Sequence, residues 1–506
     1  MIAQDRGLGS WITSRRARSP EATAIVFGDQ TISYRELADR ADRVADALAD
    51  AGITRGERVA YLGENHPAFV EVLLGCALVG AVMVPLNTRL APREIAYVLR
   101  DAGARLLIHE AELAAVVPDD GVENRLPAVV LGGGERNTDY EQWLRDAPSG
   151  GIRQAMSLDD PAVILCTSGT TGRPKGAVLT HGNLTWNALN ALVDVDVTSA
   201  DVGLLISPLF HAASLGLGLL VMLLKGATVV LERQFDAGRA LALIEKHRVT
   251  MLTGVPTTFQ FLAEHPDWHD TDLSSVTKMI CGGSPVTTHV IEMFEARGVS
   301  FTQGYGMTEA SPGATILPAT MTRSKMGSVG LPHFFTEIRV VAAEGQLAPS
   351  GDIGEIQVRG PNVSSGYQTQ HEATAESFTP DGWLRTGDLG YLDDEGYLFV
   401  RDRLKDMIIS GGENIFPVEV EELILQIPDV TGAAVIGVPD AKWGETPWAI
   451  VTLREGATLE IAQLKDHLTG SIARFKIPKN LVVLDELPRT ASGKVRKNEL
   501  RTRFGG

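Results

Sequence analysis

The chain has 506 residues, more than one hydrophobic core usually organises, so two or more packing units are expected. With 44% hydrophobic and 22% charged residues it has the make-up of an ordinary globular protein, and a net charge of −17 argues against nucleic acid or an anionic membrane as the main partner. Cys76, Cys166 and Cys281 are odd in number, far apart and set among apolar neighbours, which excludes a disulfide framework or a zinc site and fits a reducing cytoplasm.

No apolar segment follows Asp5, Arg6 and Arg15-Arg16, so no signal peptide is expected. Ser33-Tyr34-Arg35-Glu36 is a capping box, and Leu37, Ala41, Val44, Ala45 and Leu48 then recur at helical spacing until Gly52. Arg58 to Leu62 reads as a strand, Ala68 to Leu78 as a helix, Val82 to Leu86 as a strand, Pro92 to Leu99 as a helix and Leu106 to Ile108 as a strand. This alternation predicts parallel βαβ units.

Ala162 to Cys166 is an apolar run that reads as a buried strand, and Thr167-Ser168-Gly169-Thr170-Thr171-Gly172-Arg173-Pro174-Lys175-Gly176 leaves its end. Open α/β folds place ligands there. The glycines let main-chain N–H groups face an anion, the hydroxyls add donors and Lys175 adds a charge, which is the chemistry of holding a polyphosphate. Lys175 is followed by Gly176-Ala177 and not by Ser or Thr, so a Walker loop is disfavoured.

Ser207-Pro208-Leu209-Phe210-His211 ends another strand, and the glycine-broken run from Leu215 to Leu224 is too short to span a bilayer. A helix from Ala237 to His247 and strands at Val249–Thr253, Met279–Cys281 and up to Gln303 continue the alternation. Gln303-Gly304-Tyr305-Gly306-Met307-Thr308-Glu309 follows the last of these, with an aromatic placed to lie on a planar ligand and a carboxylate suited to Mg²⁺. From about Val329 to Val400 short alternating runs such as Glu355 to Arg359 predict a β-rich subdomain, within which Trp383 to Asp388 sets an acid beside a glycine, suited to a sugar's hydroxyls. Beyond Arg403, Pro417 starts a helix with Glu419, Glu421 and Glu422 in its first turns and Leu423, Ile424 and Ile427 on its core side, the beginning of a separate small α+β unit. Ser410-Gly411-Gly412-Glu413-Asn414 and Pro488-Arg489-Thr490-Ala491-Ser492-Gly493-Lys494 are its glycine-bearing loops.

The order TSGTTGRPKG, PLFH, QGYGMTE, WLRTGD, DRLKDMIISGGEN and PRTASGK closely resembles the acyl-adenylate-forming superfamily, which contains acyl-CoA synthetases, firefly-type luciferases and the adenylation domains of nonribosomal peptide synthetases. The resemblance runs from Ser33 to Lys497. It implies an α/β fold with a large N-terminal domain, residues 1–403, of two doubly wound sheets plus a distorted β-barrel, and a small mobile α+β domain, residues 404–506, hinged near Lys405.

The same resemblance implies ATP, Mg²⁺ and coenzyme A as ligands and assigns residues to each. The Thr167 to Lys175 loop, with Thr167, Ser168, Gly169, Thr170, Thr171, Gly172 and Lys175, takes the β- and γ-phosphates. Tyr305 stacks on adenine opposite Gly283-Ser284-Pro285, flanked by Gly304, Gly306 and Met307; Asp388 and Arg403 hold the ribose; Thr308 contacts the α-phosphate; Glu309 and Thr170 serve the metal. Lys494 reaches the substrate carboxylate and α-phosphate, and Lys494, Thr308 and His211 form the catalytic set. Arg89, Ser410, Gly411, Gly412, Trp443 and Phe475 match coenzyme A positions of aryl-CoA ligases, although Ile477 stands where some of these carry a basic residue, and Trp443 and Phe475 read equally well as core. The acyl pocket involves Phe210, His211, Thr257, Thr258, Phe259, Gly282, Gly283, Gly304 and Met307.

His211 stands where amino-acid-activating relatives carry an aspartate, and these segments hold no second cation for a dicarboxylate. The expected reaction is therefore ATP-dependent ligation of an apolar monocarboxylic acid, fatty or aryl, to coenzyme A through an acyl adenylate. Loading of a carrier-protein pantetheine and a catalytically silent nucleotide-binding protein of the same fold are the alternatives. The absence of an N-domain insertion favours coenzyme A, Lys494, Glu309 and Asp388 all favour an active enzyme, and the oligomeric state is left open, a homodimer included.

Overall fold

Ser33 caps the helix Tyr34–Asp50 as its spacing predicts: its Oγ accepts from the Glu36 N–H at 3.2 Å, and the Glu36 carboxylate accepts from the Ser33 N–H at 2.8 Å. Leu37, Ala41, Val44, Ala45 and Leu48 on one face are buried. They pack on the helix Pro67–Val79, which is apolar all round and buried at every position. These elements belong to a computed structural model that describes residues 5–117, 126–132, 138–150, 153–168, 174–283, 286, 288–410, 413–440, 442–469, 471–490 and 494–505. The side chains of Ser168 and Asn414 lie outside that description.

Internal contacts divide the chain into two units, Met1–Ile338 with Val358–Leu384, and Arg339–Gln357 with Arg385–Gly506. The first unit carries two large sheets. In the seven-stranded sheet the order is Thr138–Asp139, Ala128–Leu131, Ala104–Glu110, Arg58–Leu62, Val82–Leu86, Pro161–Ser168 and Pro174–Thr180. Its pairs are parallel except the last, where Pro161–Ser168 and Pro174–Thr180 run antiparallel and put Thr167 opposite Lys175. Of the expected phosphate loop, Thr167 and Ser168 end one strand and Pro174 to Gly176 begin its antiparallel partner, while residues 169–173 lie outside the described residues.

The nine-stranded sheet has a parallel centre, in which Thr228–Leu231, Val202–Leu205, Met251–Gly254, Lys278–Gly282 and Phe301–Gly306 are successive neighbours. The helix Ala237–His247 has the ends expected from sequence, and Asp236 caps it by accepting from the Arg239 N–H at 2.8 Å. The third strand of the expected set does not stop at Gln303. It continues to Gly306, because the antiparallel partner Gly313–Leu317 extends the ladder past the glycines.

A four-stranded sheet, in the order Glu337–Val341, Gly354–Arg359, Leu384–Leu392 and Leu398–Arg403, groups largely with the second unit. The distorted barrel expected here is an open sheet: its outer strands are not hydrogen-bonded to one another, so the ladder never closes on itself. The second unit also holds a five-stranded sheet built on the long hairpin Val430–Asp440 and Gly444–Leu453. Helices Pro417–Ile424 and Ile461–Leu468 cover it, with Val420, Ile424 and Leu464 buried against Val435 and Val451. Glu421, in the first turns of its helix as expected, accepts from the Val435 N–H at 2.6 Å and pairs with Lys497 at 2.8 Å.

Candidate active site

Parallel pairing of Val202–Leu205, Met251–Gly254, Lys278–Gly282 and Phe301–Gly306 puts four carboxyl-terminal strand ends on one rim. That rim carries Ser207 to His211, Thr257 and Thr258, Gly282 and Gly283, and Gly304 to Glu309, which is where ligands bind in open α/β sheets. Gly282 and Gly304 are register partners, so neighbouring strands are bare of side chains at the same level. At Gly306 the sheet leaves no choice: a Cβ there would fall on the Pro312 carbonyl oxygen.

After this strand the chain turns tightly. The Met307 N–H donates to the Pro312 carbonyl at 2.9 Å, a 3₁₀ turn covers Thr308–Ala310, and the Ser311 N–H returns to the Thr308 carbonyl at 3.1 Å. Glu309 sits on that turn with its Oε1 accepting from the Tyr367 hydroxyl at 2.7 Å. The turn is held from behind by Asn362, whose Nδ2 donates to the carbonyls of Ala310 and Gly313, and by Asn187, whose Oδ1 accepts from the Gly313 N–H at 3.0 Å.

Asn65 organises the neighbouring loop. Its Oδ1 accepts from the Leu209 N–H at 2.8 Å, and its Nδ2 donates to the carbonyls of Ser207 and Glu232 at 3.0 Å each. With Asn65 buried, these bonds fix the path of Pro208 to His211, where Phe210 is buried and its ring meets that of His211 edge-on at 4.8 Å. A π-helical turn, Ser214–Leu219, follows, and Gly216 lies against the Ser311 carbonyl and the Pro312 ring, which brings this segment onto the Thr308–Ala310 turn.

Within the first unit the structure therefore brings together Phe210, His211, Thr257, Thr258, Gly282, Gly283, Gly304, Tyr305, Gly306, Met307, Thr308 and Glu309. Phe259 is placed elsewhere: it is fully buried in the core, edge-on to Phe294 and Phe301. Lys175 stands on its hairpin leg with its ammonium 5.2 Å from the centre of the Tyr367 ring, and Thr167 Oγ1 reaches the Lys175 carbonyl at 3.4 Å. Arg89 is exposed on the turn after Val82–Leu86, where its N–H is held by Asn87 Oδ1. Gly169, Thr170, Thr171, Gly172, Ser284 and Pro285 lie outside the described residues.

In the second unit Asp388 and Arg403 are register partners, with Arg403 Nε 3.4 Å from the Asp388 carboxylate. Asp388 is buried and Arg403 half-exposed, so the pair presents its cation outward. Lys405 is exposed on the turn that follows, closed by the Asp406 N–H on the Arg403 carbonyl. Ser410 is buried at the end of a short strand, opposite both Glu413 and Gly444; Gly411 and Gly412 lie outside the described residues. Trp443 is 42% exposed and Phe475 36%, so neither is core. Each has a lysine ammonium by its ring, Lys442 at 4.7 Å and Lys476 at 5.9 Å. Lys494 is exposed, and its backbone pairs reciprocally with Thr490: the Thr490 N–H donates to the Lys494 carbonyl and the Lys494 N–H to Thr490 Oγ1.

Comparison with known proteins shows the family of the chain. Residues 12–368 match the family model described as AMP-binding enzyme, and residues 419–494 match that of the AMP-binding enzyme C-terminal domain. The chain belongs to the AMP-binding enzyme family. A feruloyl-CoA synthase from Amycolatopsis sp is 47% identical over 99% of this chain and 100% of that protein. An indoleacetate–CoA ligase from Aromatoleum aromaticum is 40% identical over 98% and 97%. Among solved structures, o-succinylbenzoate-CoA synthetase from Bacillus subtilis bound to its acyl-adenylate intermediate has a TM-score of 0.87 at 34% identity, covering 97% of both chains. The same synthetase has been solved with ATP and magnesium ion.

This AMP-binding enzyme is thus an acid–thiol ligase of the AMP-forming kind, acting with ATP, Mg²⁺ and coenzyme A. Among the described residues there is no group of three or more His, Cys, Asp or Glu that could hold a metal ion. The three cysteines are free, and burial pushes their thiols up, Cys166 to about 12. Among the described residues no helix is long and apolar enough to cross a membrane. Asn65, Asn187, Asn362 and Tyr367 were not singled out from sequence. The signal for Asn187 was present: Asn183, Asn187 and Asn190 recur at i, i+4 and i+7 in a helix otherwise largely apolar.

Proposed function

We propose that this enzyme joins an aryl monocarboxylic acid, of the hydroxycinnamic type, to coenzyme A. The observation that carries the reading is the bare sheet level at Gly282 and Gly304, beside the buried Phe210 and its neighbour His211. A planar ring can lie flat on main chain there, whereas a side chain would hold it off. The 47% identical relative named for feruloyl-CoA supports the same class of acid.

In this reading the carboxylate oxygen of the acid attacks the α-phosphorus, the bond to the bridging oxygen breaks, and pyrophosphate leaves. Both reactants are anions, so cations and exclusion of water are needed to bring them together. Lys494 supplies the charge at the carboxylate and α-phosphate, Thr308 donates to the α-phosphate, and Lys175 with the Thr167-to-Lys175 loop takes the outer phosphates. Tyr305 lies on adenine, Asp388 accepts from the ribose hydroxyls beside Arg403, and His211 orients the acid. Glu309 would hold Mg²⁺, which when bound would offset phosphate charge. In the second half-reaction the thiol of coenzyme A attacks the acyl carbonyl, AMP leaves, and the thiol proton passes to solvent. Arg89, Ser410, Trp443 and Phe475 contact coenzyme A, the exposed aromatics being free to take an adenine or pantetheine face. The chain hinges near Lys405, between residues 1–403 and 404–506.

Acid-dependent ATP–pyrophosphate exchange, run with ferulate, cinnamate, indoleacetate, octanoate and palmitate, tests this. Exchange led by the aryl propenoates, with AMP released on adding coenzyme A, is expected; preference for palmitate would overturn the substrate class, and turnover only with a holo-carrier protein would overturn the acceptor. Lys494→Ala is expected to lose exchange by about 10²–10³-fold, the usual cost of one preorganised charge.

A further inference from the structure

Segment Pro361 to Gln368 touches both phosphate-handling parts of the first unit. Toward the Thr308–Ala310 turn, the Ser364 N–H donates to the Glu309 carbonyl at 2.7 Å, and Asn362 holds Ala310 and Gly313. Toward the phosphate hairpin, the Gln368 N–H donates to the Gly176 carbonyl at 2.7 Å, the Val178 N–H to the Gly366 carbonyl at 2.9 Å, and Tyr367 bridges to Ala177 as a short added strand. The segment is itself anchored from the helix His181–Val195, where Asn183 Nδ2 donates to the carbonyls of Pro361 and Val363.

Tyr367 is the side chain that spans the two. Its hydroxyl donates to Glu309 Oε1 at 2.7 Å, and the Lys175 ammonium lies 5.2 Å from its ring centre. Lys175 and Ala177 are two apart on one strand, so the Lys175 side chain shares the face on which Tyr367 bridges. The Tyr367 N–H is fixed by Thr374 Oγ1 at 3.0 Å, and Gly366 at φ +125° allows no Cβ, which would fall on Thr374.

We infer that Tyr367 is a positioning residue for the metal–triphosphate: one end aims the Glu309 carboxylate, the other seats the Lys175 cation, and the distance between them is set by a single rigid ring. The inference rests on the roles given above to Glu309 and Lys175. Partners that orient a metal-binding carboxylate typically contribute 10–100-fold in metal affinity or activity, and a cation over a ring face adds a smaller share.

Tyr367→Phe removes the hydroxyl and keeps the ring; Tyr367→Leu removes both. ATP binding by titration calorimetry, with and without Mg²⁺, separates the two ends without turnover. Tyr367→Phe should weaken ATP binding by about tenfold in Mg²⁺ and leave metal-free binding, the acid KM and the thermal midpoint unchanged, while raising the Mg²⁺ concentration for half-maximal exchange. Tyr367→Leu should in addition weaken metal-free ATP binding. Wild-type metal dependence in Tyr367→Phe, or equal losses with and without metal, would overturn the inference. Wild-type protein lacking acid-dependent exchange would instead overturn the functional reading on which it rests.

Discussion

A buried asparagine can do what no apolar residue can, because it satisfies a donor and two acceptors at once. Asn65 does this for the Leu209 N–H and the carbonyls of Ser207 and Glu232, the first of these carbonyls also accepting from Ser214 Oγ. Asn65→Ala leaves the Leu209 N–H and the Glu232 carbonyl without this partner, and a loss of about 2–3 kcal/mol in urea denaturation is expected. Because the bonds fix the approach to Phe210 and His211, steady-state kinetics should show the KM for the acid rising more than that for ATP. Single residues of this kind were the least legible part of the sequence. Lys494, Tyr305 and Asp388 sit in short ordered motifs, whereas Asn65 and Tyr367 act on partners more than fifty residues away and carry no local signature.

At the scale of elements, the parallel sheet separates stability from chemistry by its two rims. Asp201 lies at the amino end of Val202–Leu205, opposite the rim that carries the motifs, and its carboxylate takes the Lys278 ammonium at 2.8 and 3.0 Å, the Thr198 N–H at 2.6 Å and the Thr250 hydroxyl at 2.7 Å. Burial works to raise this carboxyl, and Lys278 with the threonine donors overcomes it, so the net shift is downward. Asp201→Asn keeps the shape and leaves Lys278 half-paired in a buried place, for which a loss of about 3 kcal/mol is expected. Unfolding by urea should register it while exchange kinetics stay as in wild type. Element type and order were largely readable because helical and strand periods are local, as at Tyr34–Asp50 and Ala237–His247. Pairing was not: the antiparallel return of Pro174–Thr180 and the open edge of the four-stranded sheet depend on partners that periodicity does not name.

For the whole molecule, the buried His181 and the half-buried His66 bear on the acid limit. His66 Nδ1 accepts from the Ala68 N–H at 3.1 Å at a helix start, and His181 Nδ1 accepts from the Leu8 N–H at 3.2 Å. Burial holds both down to about 4, with Arg233 and Arg40 adding to the effect at His66 and nearby carboxylates opposing it at His181. A base depressed in the fold contributes stability that is complete above its ordinary value near 6.5 and is lost as pH falls toward 4. Denaturation midpoints should therefore be level from about pH 7 to 8 and decline between about 6.5 and 4, with His181→Gln removing part of that slope, up to about 3 kcal/mol.

The pairing of Pro161–Ser168 with Pro174–Thr180 carries a further consequence for anyone altering this chain. Side chains on its legs point alternately up and down, so the side on which Lys175 stands is a matter of parity. Removing one residue between Lys175 and Thr180 would turn the lysine to the opposite side of the sheet, away from Tyr367, while removing two would return it. Length changes in that leg are therefore expected to keep Lys175 on its side of the sheet only in even steps.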